Sequence, residues 1–306
     1  MKAVIAKGYG GPGVLSVREV AKPKPKKDEI LIEVKAASLN SGDVRLRALD
    51  AGDGVKGFVL KIIIRLLVGI KKPKRNPGSV LAGVVVEIGD SVTRFKVGDE
   101  VSAMAGFSFG AFAEYCALPD KRAIALKPKK ASFEEASSIP FGGHTALYFL
   151  RKAGTSKGKN VLVYGSTGAV GASAVQVAKY LSAEVTAVSG PDGMKLTKDL
   201  GAPKVYNYKE TPVKDIAGLF DIVFDAVGKI SKSEAAHLIV EGGKYVTVGG
   251  LDTAKGSSSD LEELADMFDN GKLIATIDKT FDIDDIVEAN RYVDSGRKKG
   301  SVVITI

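Results

Sequence analysis

The sequence predicts an α/β chain in which a doubly wound parallel sheet accompanies a smaller, barrel-like β domain. Three observations carry this. Residues 160–189, NVLVYGSTGAVGASAVQVAKYLSAEVTAVS, read as a strand, a glycine turn, a helix and a second strand. From about Lys121 onward, helix-like and strand-like stretches alternate, the pattern of helices laid on both faces of a parallel sheet. Before Pro119, period-two alternation dominates instead.

In order, the chain opens on MKAVIAKGYG, which has strand-like alternation and no signal-peptide architecture, so a cytoplasmic location is the default expectation. EILIEVKA, at 29–36, puts Ile30, Ile32, Val34 and Ala36 on one face of a strand. Similar runs follow at 82–88, 100–104 and 111–118, punctuated by Gly89-Asp90 and Gly98-Asp99. Ser132-Phe133-Glu134-Glu135 is a capping box that opens a short helix, expected to stop at Pro140; a second helix is expected over 143–152. After the glycine turn come a helix near 193–200, strands at 204–206 and 220–226, a helix over 232–240 and a strand at 244–248. GLDTAKGSSSD, at 250–260, reads as a small-polar linker that includes Ser257 to Ser259. Beyond it, a helix is expected at 261–270, a strand at 272–277, a helix at 284–295 and a closing strand, SVVITI. That last strand most simply rejoins the first β domain, which gives a discontinuous domain of residues 1–120 and 271–306 around a nucleotide domain of 121–270.

Composition narrows the partners. At 306 residues, 45% hydrophobic and 26% charged, the chain is ordinary for a globular protein with a large core. Its single cysteine, Cys116, excludes an internal disulfide and any zinc site built from several thiolates. The net charge of +8 comes from lysines spread along the chain with no aromatic-basic module, so a basic solvated surface is preferred over a nucleic-acid footprint and no DNA partner is expected. VLKIIIRLLVGI, at 59–70, is apolar but carries Lys61 and Arg65 and falls short of the roughly 20 residues that span a bilayer. A helical lid or wall over a pocket is the preferred reading, with peripheral membrane contact as the alternative because KKPKR follows at 71–75.

Gly165, Gly168 and Gly171 recur every third residue between an apolar strand and a helix, which lets backbone amides approach a pyrophosphate at the helix N-terminus. Ser166 and Thr167 offer hydroxyls to the same phosphates, and Ala169 and Val170 open the helix. About 20 residues on, where an acidic residue would bind the adenosine ribose and repel a 2′-phosphate, the chain has Ser189 and Gly190, with Lys195 and Lys198 close by. That favours NADPH over NADH.

The segments SLNSGDVRLR (38–47), AGVVVEIGDSVTRFKVGDEV (82–101), GAFAEY (110–115), IPFGGHTAL (139–147), VLVYGSTGAVG (161–171) and FDAVG (224–228), with Asn207-Tyr208 and the closing 300–306, together resemble the medium-chain dehydrogenase/reductase superfamily. The resemblance is to its zinc-independent quinone oxidoreductase branch and covers nearly the whole chain. It implies a GroES-like β-barrel domain and a Rossmann domain. Zinc-dependent relatives have a cysteine where this chain has Asn40, a Gly-His-Glu segment where it has Gly78-Ser79-Val80, and a four-cysteine lobe that it lacks. No metal is implied, and His144 and His237 are read as packing or capping residues.

The resemblance further implies that Asn40 lies beside the nicotinamide, either donating a hydrogen bond to the acceptor oxygen or serving only as a turn residue, and that Asp43 is structural. Thr145 resembles the family threonine that approaches the cofactor, with Gly142-Gly143 permitting close approach. Lys195, Tyr208 and the basic group Arg297 to Lys299 are candidates for the 2′-phosphate, with Lys299 taken as a cofactor contact; Val227, Val248 and Gly249 border the cofactor. Hydride transfer to an already electrophilic quinone or α,β-unsaturated carbonyl needs no Lewis acid, so a small hydrophobic acceptor of that kind is expected. The alternatives are a zinc-independent NADP-dependent alcohol or aldehyde reductase, and an NADPH-binding regulatory or RNA-binding protein with little turnover. Between Gly250 and the helix at Leu261 the chain lacks a segment that commonly supplies a dimerisation strand in the family, so a family-type dimer is not expected.

Overall fold

A computed structural model describes all residues except 53, 250, 251 and 255. Gly250, Leu251 and Lys255 of the expected linker thus lie outside the described residues. In chain order the elements are β1 (Lys2–Ala6), β2 (Leu15–Glu19), β3 (Glu29–Leu39), α1 (Ser41–Ala48), α2 (Gly54–Val68), β4 (Val80–Ile88), β5 (Glu100–Met104), β6 (Tyr115–Pro119), β7 (Ala123–Leu126) and α3 (Phe133–Ala153). There follow β8 (Asn160–Tyr164), α4 (Ala169–Tyr180), β9 (Glu184–Ser189), α5 (Met194–Asp199), β10 (Lys204–Asn207), β11 (Phe220–Asp225), α6 (Lys232–Ala235), β12 (Ile239–Thr247), α7 (Ser258–Asp269), β13 (Ile277–Asp282), α8 (Ile286–Asp294) and β14 (Ser301–Thr305). Two compact units result, one of residues 1–140, 256–265 and 277–306, the other of 141–255 and 266–276. Their boundaries differ from the 120/121 and 270/271 divisions read from sequence.

In the first unit, β3 is the hub. It pairs antiparallel with β4, β6 and β14, and β13 joins β14 in parallel. Its eleven residues carry two register shifts against β4, which bend it while Ile30, Ile32, Val34 and Leu39 stay in one apolar core with Leu81, Phe112, Leu118 and Ile304. β14 therefore closes this unit, with Val302 opposite Leu39 and Thr305 opposite Ala36. The strand expected over 111–118 begins only at Tyr115; Ala113 instead makes a single bridge to Ala3.

In the second unit, five parallel strands lie in the order β10-β9-β8-β11-β12. All neighbouring pairs are parallel, and the order reverses at β8, so the gap between the C-terminal ends of β8 and β11 is the topological switch point. Val161, Leu162 and Val163 are fully buried, as a strand covered on both faces requires.

Several sequence expectations are corrected. Pro140 does not stop a helix; α3 runs without a break from Phe133 to Ala153 with Pro140 inside it. Proline has no N–H for the carbonyl four residues back. Here that carbonyl, of Ala136, accepts instead from the Ser102 hydroxyl of β5 at 2.9 Å. The Ser132 capping box is formed, through Ser132 N to Glu135 Oε2 at 2.9 Å and Glu135 N to Ser132 Oγ at 3.2 Å. The helix expected over 232–240 ends at Ala235, passes into a 3-10 turn and becomes strand at Ile239, because β12 shifts register against β11 around Gly242 and so starts early. The strand expected at 272–277 lies at 277–282, in register with β14. Ser258 and Ser259, read as linker, are helical, and Ser258 Oγ donates to Arg122 O and accepts from Ile124 N.

α2 fulfils the expected apolar helix, and no described helix is long and apolar enough to cross a membrane. Its last residue, Val68, borders a cavity lined also by Leu15, Leu46, Phe109, Asp43 and Arg47.

Candidate functional site

The glycine turn is built from three glycines with three different duties. Gly165 leaves β8 at φ +80°, and a Cβ there would lie 2.5 Å from Val227 Cγ1. Gly171 allows α4 to press on the turn, since its Cβ would lie 2.1 Å from the Gly165 carbonyl oxygen. Gly168 differs from both. It is the N-cap of α4 at φ −71°, no side chain caps the helix, and a Cβ there would meet nothing within 4 Å. The helix N-terminus thus presents uncapped amides to an open space, which is what a diphosphate needs.

Hydroxyls in the turn divide. Ser166 is fully buried and donates to Val188 O at 3.1 Å, sharing a second hydrogen bond with Thr197 at 2.9 Å. Its hydroxyl holds the turn to β9. Thr167 is half-buried against Gly193, where a Cβ would sit 2.2 Å from its methyl group.

At the end of β9, Ser189 is buried and donates to Gly190 O at 3.0 Å. Asn207 lies opposite Ser189 in the β10 register, and Tyr208 donates its backbone N–H to Ser189 O at 3.0 Å. The Tyr208 ring stacks close to Gly190, 3.3 Å from where a Cβ would be, and remains 48% exposed. Ser189, Gly190 and Tyr208 therefore form one wall, and no carboxylate ends β9. Lys195 is elsewhere engaged, in an exposed ion pair with Asp199 one turn along α5 at 2.7 Å.

Across the switch point, Val227 follows β11 and Val248 and Gly249 follow β12. One residue that sequence reasoning passed over organises them. Asp225 is completely buried and its carboxylate accepts from Val227 N, Gly228 N, Ile230 N and Thr247 Oγ1 at 2.9 to 3.2 Å. Its own carbonyl accepts from Val248 N at 3.1 Å, and Gly228 and Gly249 touch so closely that a Cβ on either would lie 2.9 Å from the other's Cα. The signal was present in FDAVG, as an aspartate followed by amides two and three residues on.

α3 supplies Thr145, half-buried, with its hydroxyl donated to Phe141 O at 2.7 Å. One turn earlier Gly142 approaches the start of α4, a Cβ there lying 2.3 Å from Ala169 O.

The remaining predicted residues, His144 and His237 apart, belong to the first unit. Asn40 ends β3 and N-caps α1 while only 1% exposed. Its Nδ2 donates to Ser38 O at 3.1 Å, its Oδ1 accepts from Ser38 Oγ at 3.2 Å, and its backbone N–H donates to Asp43 Oδ2 at 2.9 Å. Burial pushes the Asp43 carboxyl up to about 6, against hydrogen bonds from Asn40 and the Ser79 hydroxyl that pull the other way. Asn40, Asp43 and Ser79 are thus one buried polar cluster. Arg47 fixes α1 by donating both to Gly10 O and to the Asp294 carboxylate of α8. In the loop before β14, Lys299 donates its backbone N–H to Asp278 Oδ2 at 3.0 Å, and burial lowers Lys298 to about 8. Cys116 is buried, its thiol pushed up to about 12 by desolvation; His144 is buried in α3 and His237 exposed.

An open glycine cradle at a switch point is the arrangement that binds a dinucleotide, the class of site the fold defines. Residues 26–129 match the alcohol dehydrogenase GroES-like domain, and residues 169–277 and 253–304 match two models described as zinc-binding dehydrogenase. The chain is 36% identical, over 99% of its length and 79% of the relative's, to the 2-methylene-furan-3-one reductase of Solanum lycopersicum. It is 32% identical, with the same coverages, to the chloroplastic NADPH-dependent alkenal/one oxidoreductase of Arabidopsis thaliana. The solved quinone oxidoreductase of Coxiella burnetii superposes with a TM-score of 0.85 at 27% identity, covering 100% of this chain and 99% of that one. The chain belongs to the medium-chain dehydrogenase/reductase superfamily.

Proposed function

We propose that the chain is an NADPH-dependent reductase that delivers hydride to a quinone or an α,β-unsaturated carbonyl without zinc. The second unit would hold the dinucleotide and the first the acceptor. The observation that carries the reading is the Asn40 cluster: an amide, a carboxyl and a hydroxyl are hydrogen-bonded together where metal-dependent relatives have ligands. Such a cluster donates hydrogen bonds to an oxygen but does not polarise an alcohol as a metal would.

When bound, the cofactor supplies the hydride. The amides at the start of α4 bind its diphosphate, and the wall of Ser189, Gly190 and Tyr208 leaves room for a 2′-phosphate that a carboxylate would repel. Asn40, whose side chain is held by Ser38 and Asp43, is assigned beside the acceptor oxygen, where charge grows as hydride arrives. Thr145 lines the nicotinamide, and Lys299 the 2′-phosphate side. The names of the tomato and Arabidopsis relatives point to acceptors of the same class.

The decisive assay is NADPH and NADH oxidation over a panel of quinones, enones and aldehydes, repeated with Asn40→Ala. Oxidation of NADPH by quinones or enones, with kcat falling roughly 10²-fold in the variant, is expected. Alcohol oxidation with no turnover of any quinone or enone would overturn the reading. The segment that commonly supplies a dimerisation strand in the family is missing between Gly250 and Leu261, so a family-type strand-paired dimer is not expected; a light-scattering mass of two chains joined at the edge of the nucleotide sheet would contradict this.

A further inference from the structure

The outward face of α2 is the feature that the proposed chemistry leaves unused. A helix on a soluble surface buries its apolar stripe and shows its polar face. α2 does the reverse. Gly57 and Val68 are buried on its inner side, whereas Phe58, Val59, Ile62, Ile63, Leu66 and Leu67 are exposed, Phe58 by 65% and Leu67 by 73%. At 3.6 residues per turn these six fall within about 180° of the circumference, so they form one continuous apolar face. Ile70 continues it at 68% exposure. Among the described side chains of α2 only Val68 lines the cavity, so a lid role uses its last turn and leaves this face unused.

Charge says what covers it. Residues 54–86 contain seven lysines and arginines and no aspartate or glutamate. Lys61 and Arg65, one turn apart, run along the border between the buried side and the apolar face, and Lys71, Lys72 and Lys74 follow directly and are exposed. Among the described residues no carboxylate is paired with any of these five. A second copy would bring the same positive charge against it. A bilayer with anionic headgroups offers hydrocarbon for the face and phosphates for its rim. At 15 residues the helix is about 22 Å long, suited to lying in the interface and too short to span it.

We infer that α2 and the basic segment 71–75 form a monotopic anchor that seats the protein on an anionic lipid surface. Long lysine and arginine side chains at the border reach headgroups while the apolar face enters the acyl boundary. The test is sedimentation of the full chain with phosphatidylcholine vesicles, with and without phosphatidylglycerol. The chain has no tryptophan, so Leu66→Trp introduces the only indole and reports burial by a blue shift. Binding to the anionic vesicles with a blue shift is expected. It should weaken at least about tenfold in the Lys71→Ala, Lys72→Ala, Lys74→Ala variant. It should be lost in Phe58→Ser, Leu66→Ser, Leu67→Ser while circular dichroism stays unchanged. No binding at low salt, equal binding to neutral vesicles, or a dimer in solution that the triple serine variant dissociates would each overturn the proposal.

Discussion

Alanine placed separately at Gly168 and at Gly171 makes the same chemical change three residues apart, with opposite expected consequences. At Gly171 the added methyl would lie 2.1 Å from the Gly165 carbonyl oxygen and 2.8 Å from Ser166 Cα, where ordinary contact begins at 3.4 Å. The obstacles are backbone atoms, so α4 must move off the turn by about 1 Å, at a cost of roughly 1 to 3 kcal/mol or more. At Gly168 the methyl meets nothing, and φ is −71°, so the loss is that of a poor N-cap, about 1 kcal/mol or less. It projects, however, into the cradle assigned to the diphosphate. Urea unfolding and NADPH titration on both variants separate the two: Gly171→Ala should lower the urea midpoint clearly, whereas Gly168→Ala should keep it nearly unchanged and lose NADPH affinity. Wild-type affinity in a stably folded Gly168→Ala protein would refute the placement of the diphosphate.

Other consequences follow from single contacts. Asp43 keeps its proton to about pH 6 when folded and to about pH 4 when unfolded, so stability falls as pH rises through that window, by roughly 3 kcal/mol in full. Asp43→Asn should flatten this fall; an unchanged difference between variant and wild type at about pH 4 and pH 7 in urea melts would sink the assignment. Ser102→Ala strands the Ala136 carbonyl beneath Pro140 and should cost about 1 to 3 kcal/mol, read as a lower thermal midpoint that Pro140→Ala, by restoring an N–H, partly recovers. Ser189→Asp should shift the ratio of NADPH to NADH turnover toward NADH, and an unaltered ratio would argue against the ribose wall.

The sequence was legible where local chemistry and long-range structure agree. The strand-turn-helix at 160–180 and the Ser132 capping box read correctly because each is specified by its own residues, and the return of 301–305 to the first β unit followed from a strand left over after the nucleotide unit. Pro140 misled because the hydroxyl that satisfies Ala136 comes from residue 102, and nothing near 140 announces it. Ser166 was not legible because a turn serine looks the same whether it faces a phosphate or Val188, and its bonds to Val188 and Thr197 are long-range. Asp225 was quoted within its motif but given no role, since its amide donors follow it within five residues while the hydroxyl that completes the set, from Thr247, lies on another strand. Exposure of the α2 face is the converse case. Hydropathy finds an apolar run but cannot say which side the fold leaves uncovered.

The pairing of β14 with β3 also sets a timetable. Every strand of the parallel sheet lies between residues 160 and 247, so that sheet has all its partners well before residues 301–305 have been synthesised. β3, made among the first forty residues, pairs with β4 and, over residues 29–33, with β6, but its residues 36–39 must wait for β14 with that stretch of edge unpaired. Closure of the first unit is therefore a late, high-contact-order event, and a ribosome stalled between 250 and 300 would hold a finished nucleotide sheet attached to a β unit still able to pair with a neighbouring chain.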